Sequence, residues 1–251
     1  MRGAEGGAAP RILVADDDGG VRTSLAANLQ LEGYDVVEAS DGKHALALLR
    51  EQTFDLVLSD VVMPEVNGVE VLKGAKALSP QTPVVLISAF VSESLVNTAV
   101  AEGLYAMLYK PVGIPQVLRI VVRALTRRAL LVVDDAAPYL ESLAASLRSL
   151  GIVVETALDG QQALEYARQN GVDACVLDLM LPAPGGIEIC RDLRKLDREM
   201  DIIGITGSSD PALLRSITRE GVPVCLRKPF EVRDLLFALV KARSDATRLR
   251  S

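Results

Sequence analysis

The feature that most constrains this chain is that it repeats itself. Sliding the 251-residue sequence against itself by 118 residues aligns 11–128 with 129–246 without a gap, and 33 of the 118 pairs are identical. The matches fall at chemically distinctive positions. Asp16-Asp17 meets Asp134-Asp135, Asp60 meets Asp178, and Lys110-Pro111 meets Lys228-Pro229. Gly33, Asp41-Gly42, Pro64, Gly68 and Gly103 find Gly151, Asp159-Gly160, Pro182, Gly186 and Gly221. A repeat of this length is long enough to be a domain in its own right, so the expected organisation is two copies of one domain. They are bounded at 11–128 and 129–246, with 1–10 and 247–251 as tails.

Within the first copy, short β-rich runs alternate with helical patterns. RILVA (11–15), YDVVE (34–38), DLVLS (55–59), PVVLI (83–87) and the segment 105–109 read as strands. Several are almost continuously apolar, as expected of a parallel sheet covered by helices on both faces. Helical patterns run near 20–32, 42–52, 68–78, 92–102 and 114–128. Gly33 reads as the glycine cap of the first helix, and Asp41-Gly42 and Asn67-Gly68 as turns that open helices. Strand and helix in strict alternation predict an α/β fold, an open doubly wound sheet that binds its ligands at the carboxyl ends of the strands. In the last helix, Ile114, Val117, Leu118, Val121, Val122 and Leu125 read as the inward stripe, with Ile120 on the other side between Arg119 and Arg123. An exposed Ile120 makes the last helices a candidate homodimer surface. The last helix runs almost directly into ALLVV (129–133), a junction expected to restrict relative motion of the copies.

Composition narrows the class. Apolar residues make up 49% and charged residues 24%, a globular balance. The net charge of −6, divided equally between residues 1–128 and 129–251, and the 4% aromatic content argue against nucleic acid as a direct partner. No apolar run approaches the roughly 18–20 residues of a membrane span, and the N-terminus lacks a signal-peptide core. Cys175, Cys190 and Cys225 form no CxxC pair, so they read as reduced core residues of a cytoplasmic protein.

On this frame the polar residues converge. Asp16 and Asp17 follow the first strand, Asp60 ends the third, Ser88 the fourth and Lys110 the fifth; Asp134, Asp135, Asp178, Thr206 and Lys228 repeat the set. Three carboxylates at one edge repel. At about 4–5 Å and an effective dielectric near 20, each pair costs roughly 3–4 kcal/mol, more than one lysine offsets. A divalent cation bound by oxygen, Mg²⁺ above all, resolves the conflict. An aspartate nucleophile, a metal, a hydroxyl and a lysine together suit phosphoryl transfer to a carboxylate.

Each copy resembles a response-regulator receiver domain of bacterial two-component signalling. The resemblance rests on VADDD and VVDD, SDVVMPEVNG and LDLMLPAPGG, ISA and ITG, and YKP and RKPF. It implies two flavodoxin-like (βα)5 domains, each with sheet order 2-1-3-4-5. It also implies phosphoacceptors at Asp60 and Asp178. Magnesium would be held by Asp17 and Asp135 directly, by Asp16 and Asp134 partly through water, and by the carbonyls of Val62 and Met180. Cis bonds are expected at Lys110-Pro111 and Lys228-Pro229. The implied partners are a histidine kinase or phosphotransfer protein as donor and a downstream protein as target. The protein would be a stoichiometric acceptor, catalysing only its own phosphorylation and dephosphorylation. Few residues follow the second copy, so no output domain is expected, and the sole histidine, His44, reads as a solvated helix residue.

This sequence departs from the family pattern at several positions. The switch position three residues before the lysine, often aromatic, is Met107 in one copy and Cys225 in the other. Asp18 corresponds to Ala136, and Phe90 to Ser208, so the two sites are expected to differ in metal affinity or phosphate lifetime. One alternative is a haloacid-dehalogenase-like phosphohydrolase, which needs an aspartate two residues after the nucleophile, where this chain has Val62 and Met180. A structural receiver pair, or a piece of a larger regulator, is the other.

Overall fold

Alternation of facing, one residue to each side of a strand, is what lets a single short strand serve two cores. In the second half Leu130 and Val132 enter one buried cluster, with Leu140, Leu147, Leu235 and Leu239. Their neighbours Leu131 and Val133 enter another, with Leu164, Ile189, Cys190 and Leu193. A strand buried on both faces must be apolar throughout, which is why these runs lack a polar face.

The computed structural model describes residues 8–89, 92–126, 128–198, 200–208, 222 and 224–245. The chain divides into two compact units, Met1–Leu125 and Thr126–Ser251. The first is built from β1 (Arg11–Ala15), α1 (Gly19–Leu31), β2 (Asp35–Ala39), α2 (Gly42–Glu51), β3 (Leu56–Asp60), α3 (Gly68–Leu78), β4 (Val84–Ser88), α4 (Glu93–Ala101), β5 (Ala106–Tyr109) and α5 (Ile114–Thr126). The second, among the described residues, holds β6 (Ala129–Val133), α6 (Ala137–Ser149), β7 (Val154–Ala157), α7 (Gly160–Asn170), β8 (Val172–Asp178), α8 (Gly186–Leu196), β9 (Asp201–Thr206), β10 (Val224–Arg227) and α9 (Val232–Asp245). The repeat match at Gly221, the second-copy counterpart of the 92–102 helix and Phe90 lie outside the described residues.

Each sheet is parallel and five-stranded. The orders are β2-β1-β3-β4-β5 and β7-β6-β8-β9-β10, so both have the expected 2-1-3-4-5 winding. The central strands β3, β4, β8 and β9 are buried along their whole length. The edge strands β2 and β10 are only partly covered.

The helix boundaries follow their caps. Gly33 adopts φ +90°, a left-handed conformation that lets the chain leave α1, and Gly151 does the same at φ +80° after α6. Asp41 caps α2 by accepting from His44 N–H, and Asn67 with Glu70 forms a full capping box at α3. His44 itself is exposed. Of the cysteines, Cys175 and Cys190 are in the core and Cys225 is half-buried.

One expectation fails on α5. Ile120 is 2% exposed and packs in the core with Val117, Val121 and Ala124, whereas Val122 is 50% exposed. The reason is angular. At 3.6 residues per turn, Ile120 lies within about 60° of Val117, and Val122 about 140° away. The inward stripe therefore runs through 117, 120, 121 and 124, and Ile120 offers no surface for a partner.

Candidate functional site

The carboxyl ends of the strands gather the acidic residues in both units. β1 delivers Asp16 and Asp17 immediately after its last residue, and β3 ends on Asp60. One carboxylate oxygen from each of these three lies within 4.8 Å of the others, and Asp134, Asp135 and Asp178 form the same triplet at the ends of β6 and β8. In each triplet the first aspartate and the acceptor position are buried, while Asp17 and Asp135 are exposed. Asp16 Oδ1 accepts from Asp18 N–H at 2.8 Å, and Asp134 Oδ1 from Ala136 N–H at 3.0 Å, so the loop backbone aims the first carboxylate in each copy.

The hydroxyl and the lysine arrive by sheet pairing. Lys110 N–H donates to the carbonyl of Ser88 at 2.8 Å, and Lys228 N–H to that of Thr206 at 2.8 Å. Both hydroxyl residues are fully buried. The peptide bonds Lys110-Pro111 and Lys228-Pro229 are cis, as expected; Ala183-Pro184, unforeseen, is cis as well. Lys110 Nζ lies 3.2 Å from Asp16 and 3.2 Å from Asp60. Lys228 Nζ is closer to its partners, 2.5 Å from Asp134 and 2.6 Å from Asp178.

Burial opposes the charge on both lysines, but the facing carboxylates outweigh it and raise each ammonium above its ordinary pKa. Asp60 moves the other way in stability terms. Its burial raises the carboxyl pKa, and Lys110 and the Val61 N–H only partly offset this. An ionised Asp60 is thus a charge only partly relieved by its neighbours, which suits a site that receives a further cation. Three hard oxygen donors within 4.8 Å, without a thiol or imidazole among them, match Mg²⁺ or a similar divalent ion. Val62 and Met180, two residues beyond Asp60 and Asp178, are 65% and 56% exposed. Both side chains are exposed; Met180 N–H donates to Asp178 Oδ1 at 2.8 Å, whereas at the first site it is Val61 N–H that donates to Asp60 Oδ1, at 2.9 Å.

The model of the response regulator receiver domain matches residues 12–122 and again 130–240. The chain belongs to the response regulator receiver family. A response regulator receiver protein of Anaeromyxobacter sp. (strain Fw109-5) is 29% identical over 237 residues, covering 94% of this chain and 96% of that one. The transcriptional regulatory protein ZraR of Escherichia coli (strain K12) is 45% identical over 100 residues, 40% of this chain but only 23% of its own length. Among solved structures, a probable two-component system response regulator/GGDEF domain protein superposes with a TM-score of 0.56 at 23% identity. The alignment covers 95% of this chain and 99% of that one, a likeness of fold.

The two receivers are not identical around the shared set. In the first, Asp18 caps α1 by accepting from Gly20 N–H at 2.8 Å and Val21 N–H at 3.0 Å, bonds that hold its carboxyl below the ordinary range. Asp18 is thus engaged as a cap. Ala136 cannot do this, and α6 instead begins with a proline in its first turn. Arg22 donates to the Asp16 carbonyl at 2.7 Å and pairs with Glu38 at 3.3 Å, tying the β1–α1 loop to β2. The second receiver has Leu140 in that place and an aromatic pair nearby. Lys228 Nζ lies 4.8 Å from the centroid of the Tyr139 ring, and Phe230 meets that ring edge-on. Reading by conserved chemistry between the copies passes over Tyr139 and Phe230. Their signal was in the mismatches, since Val21 and Val112 occupy the equivalent positions.

Proposed function

We propose that this protein is a phosphoacceptor of a two-component pathway, taking phosphoryl groups on Asp60 and Asp178. The observation that carries this reading is the duplicated triplet with its lysine and buried hydroxyl, the same five groups brought twice to the carboxyl edge of a receiver sheet. A carboxylate oxygen of Asp60 or Asp178 would attack the phosphorus of a phosphohistidine or small acyl phosphate donor. The P–N or P–O bond to the donor breaks, the donor retains the electron pair, and an acyl phosphate remains on the aspartate. Asp16 and Asp17, or Asp134 and Asp135, with the acceptor carboxylate and the backbone at Val62 or Met180, would hold magnesium, which would supply charge neutralisation. Lys110 or Lys228 exchanges a carboxylate partner for a phosphoryl oxygen, and the Ser88 or Thr206 hydroxyl donates to another.

The natural donor is a histidine kinase or phosphotransfer protein, and the compartment in which such donors work is the cytoplasm. The output is a phosphorylation-dependent protein contact, with either a downstream protein or a second copy as partner. Enzymatic turnover of external phosphate esters is not expected. Val62 and Met180 cannot transfer a proton to a leaving group, which counts against a phosphohydrolase. Among the described residues, no helix is long and apolar enough to cross a membrane.

The test is site-resolved mass spectrometry after incubation with acetyl phosphate and Mg²⁺. Wild type should carry phosphate on both aspartates, and Asp60→Asn and Asp178→Asn should each lose one. Absence of label from both sites, with the fold intact, would refute the reading; steady release of phosphate from esters would favour the hydrolase.

A further inference from the structure

The two receivers present the same ionisable groups at the strand edge but surround the lysine differently. In the second, the Tyr139 ring centroid is 4.8 Å from Lys228 Nζ. Phe230 braces that ring, with centroids 6.5 Å apart and planes at 90°. In the first, the corresponding side chains are Val21, 42% exposed, and Val112. Neither valine can attract a cation. The lysine positions differ in parallel. Lys228 Nζ sits 2.5 and 2.6 Å from its two carboxylates, Lys110 Nζ 3.2 Å from each.

A lysine has a flexible four-carbon stem, and localising its ammonium costs side-chain entropy. An aromatic face at this distance attracts the ammonium through the ring quadrupole and occupies space that other rotamers would sweep. The edge-on contact with Phe230 in turn limits the freedom of the ring. Tyr139 lies in the first turn of α6, beside Pro138, so its backbone is anchored to the loop that carries Asp134 and Asp135.

We propose that Tyr139 is a positioning residue for the second site alone: braced by Phe230, its ring holds Lys228 Nζ at Asp134 and Asp178, so that phosphoryl transfer to Asp178 meets a pre-placed cation. This rests on the phosphoacceptor reading and adds that the two acceptors are unequal. The first site has Val21 where the second has Tyr139, and its β1–α1 loop is held by Arg22 and Asp18 instead. A cation placed before the reaction lowers the barrier without having to be ordered during it.

The test uses the full chain with acetyl phosphate and Mg²⁺, following each aspartate separately by mass spectrometry in wild type, Tyr139→Phe and Tyr139→Leu. Phenylalanine keeps the aromatic face, whereas leucine fills much of the volume without it. Tyr139→Phe should phosphorylate Asp178 within about twofold of wild type. Tyr139→Leu should slow it by about three- to tenfold, with Asp60 in the same molecule unchanged. Equal Asp178 rates in the two variants would overturn the proposal. A second measurement decides the matter even if Tyr139→Leu fails to fold or no label appears. The Cε methylene protons of Lys228 in wild type should resonate upfield of those of Lys110 because of the ring current, and Tyr139→Phe should retain the shift. A Lys228 signal with no upfield shift would overturn the positioning role. Missing label on both aspartates together with a shifted Lys228 signal would instead overturn the phosphoacceptor reading and leave the lysine held as described.

Discussion

Asp60 shows how a single residue can sacrifice stability for chemistry. Buried next to Asp16, its carboxyl prefers the protonated form more than an ordinary aspartate does, even with Lys110 3.2 Å away. The folded chain therefore holds this proton more tightly than the unfolded chain, in which the group titrates near its ordinary 3.8. Stability falls as the pH climbs from that value through the raised one, and the loss persists at neutrality. Asp60→Asn should accordingly raise the melting temperature at pH 7 and low Mg²⁺. The gain should vanish at a pH well below the ordinary aspartate value, and calorimetry over a pH series measures both. The lysines act in the opposite sense. Their raised values mean that the stability they contribute is complete below 10.5 and is lost as the pH climbs from there through the folded-state value.

At the scale of elements, the site depends on how closely helices approach the strand that carries the acceptor. A Cβ at Gly68 would lie 2.2 Å from the carbonyl oxygen of Asp60, and one at Gly186 2.5 Å from that of Asp178. Neither backbone can yield without moving the acceptor. Gly68→Ala should therefore depress phosphorylation of Asp60 at least tenfold by displacing β3 against α3. Site-resolved labelling should find Asp178 unaffected in the same chain. The α5 helix supplies a second element-level test, because the residue expected at the surface is in the core. Ile120→Ala should cost about 2–4 kcal/mol of the stability of the first unit in urea titrations. Val122→Ala, at a site 50% exposed, should cost no more than about 0.5–1 kcal/mol. Equal losses would contradict the observed facing of the helix.

Across the whole molecule, the chain is one acidic module written twice, with a net charge of −6 and a receiver-family match in each half. The proposed function assigns a divalent ion to each oxygen triplet, and an ion that binds only the folded state stabilises it by mass action. Mg²⁺ at about 100 times its dissociation constant should add about 2.7 kcal/mol at each occupied site. Differential scanning calorimetry with and without chelator checks this. The double variant Asp17→Asn/Asp135→Asn should lose the response while keeping its fold, since both residues are exposed.

Much of this was legible in the residues themselves. Strand and helix alternation, the strand-edge placement of Asp16, Asp60, Ser88 and Lys110, and the caps at Asp41 and Asn67 depend on local periodicity and on side chains bonding to nearby backbone. The repeat displayed each of them twice. What sequence spacing could not decide was orientation within a helix and contact between distant segments. Ile120 and Val122 are both apolar, and only packing against the sheet selects which one is buried. The sequence sets Asp18 against Ala136 without showing what Asp18 bonds to, and only its contacts with Gly20 and Val21 show it engaged as a cap. Tyr139 and Phe230 are 91 positions apart in the chain, and a ring resting on an active-site lysine exists only once β6, β10 and α6 are assembled. Local chemistry is written in order along the chain; the close approach of remote side chains is decided by the fold, because it depends on distances that no one-dimensional spacing contains.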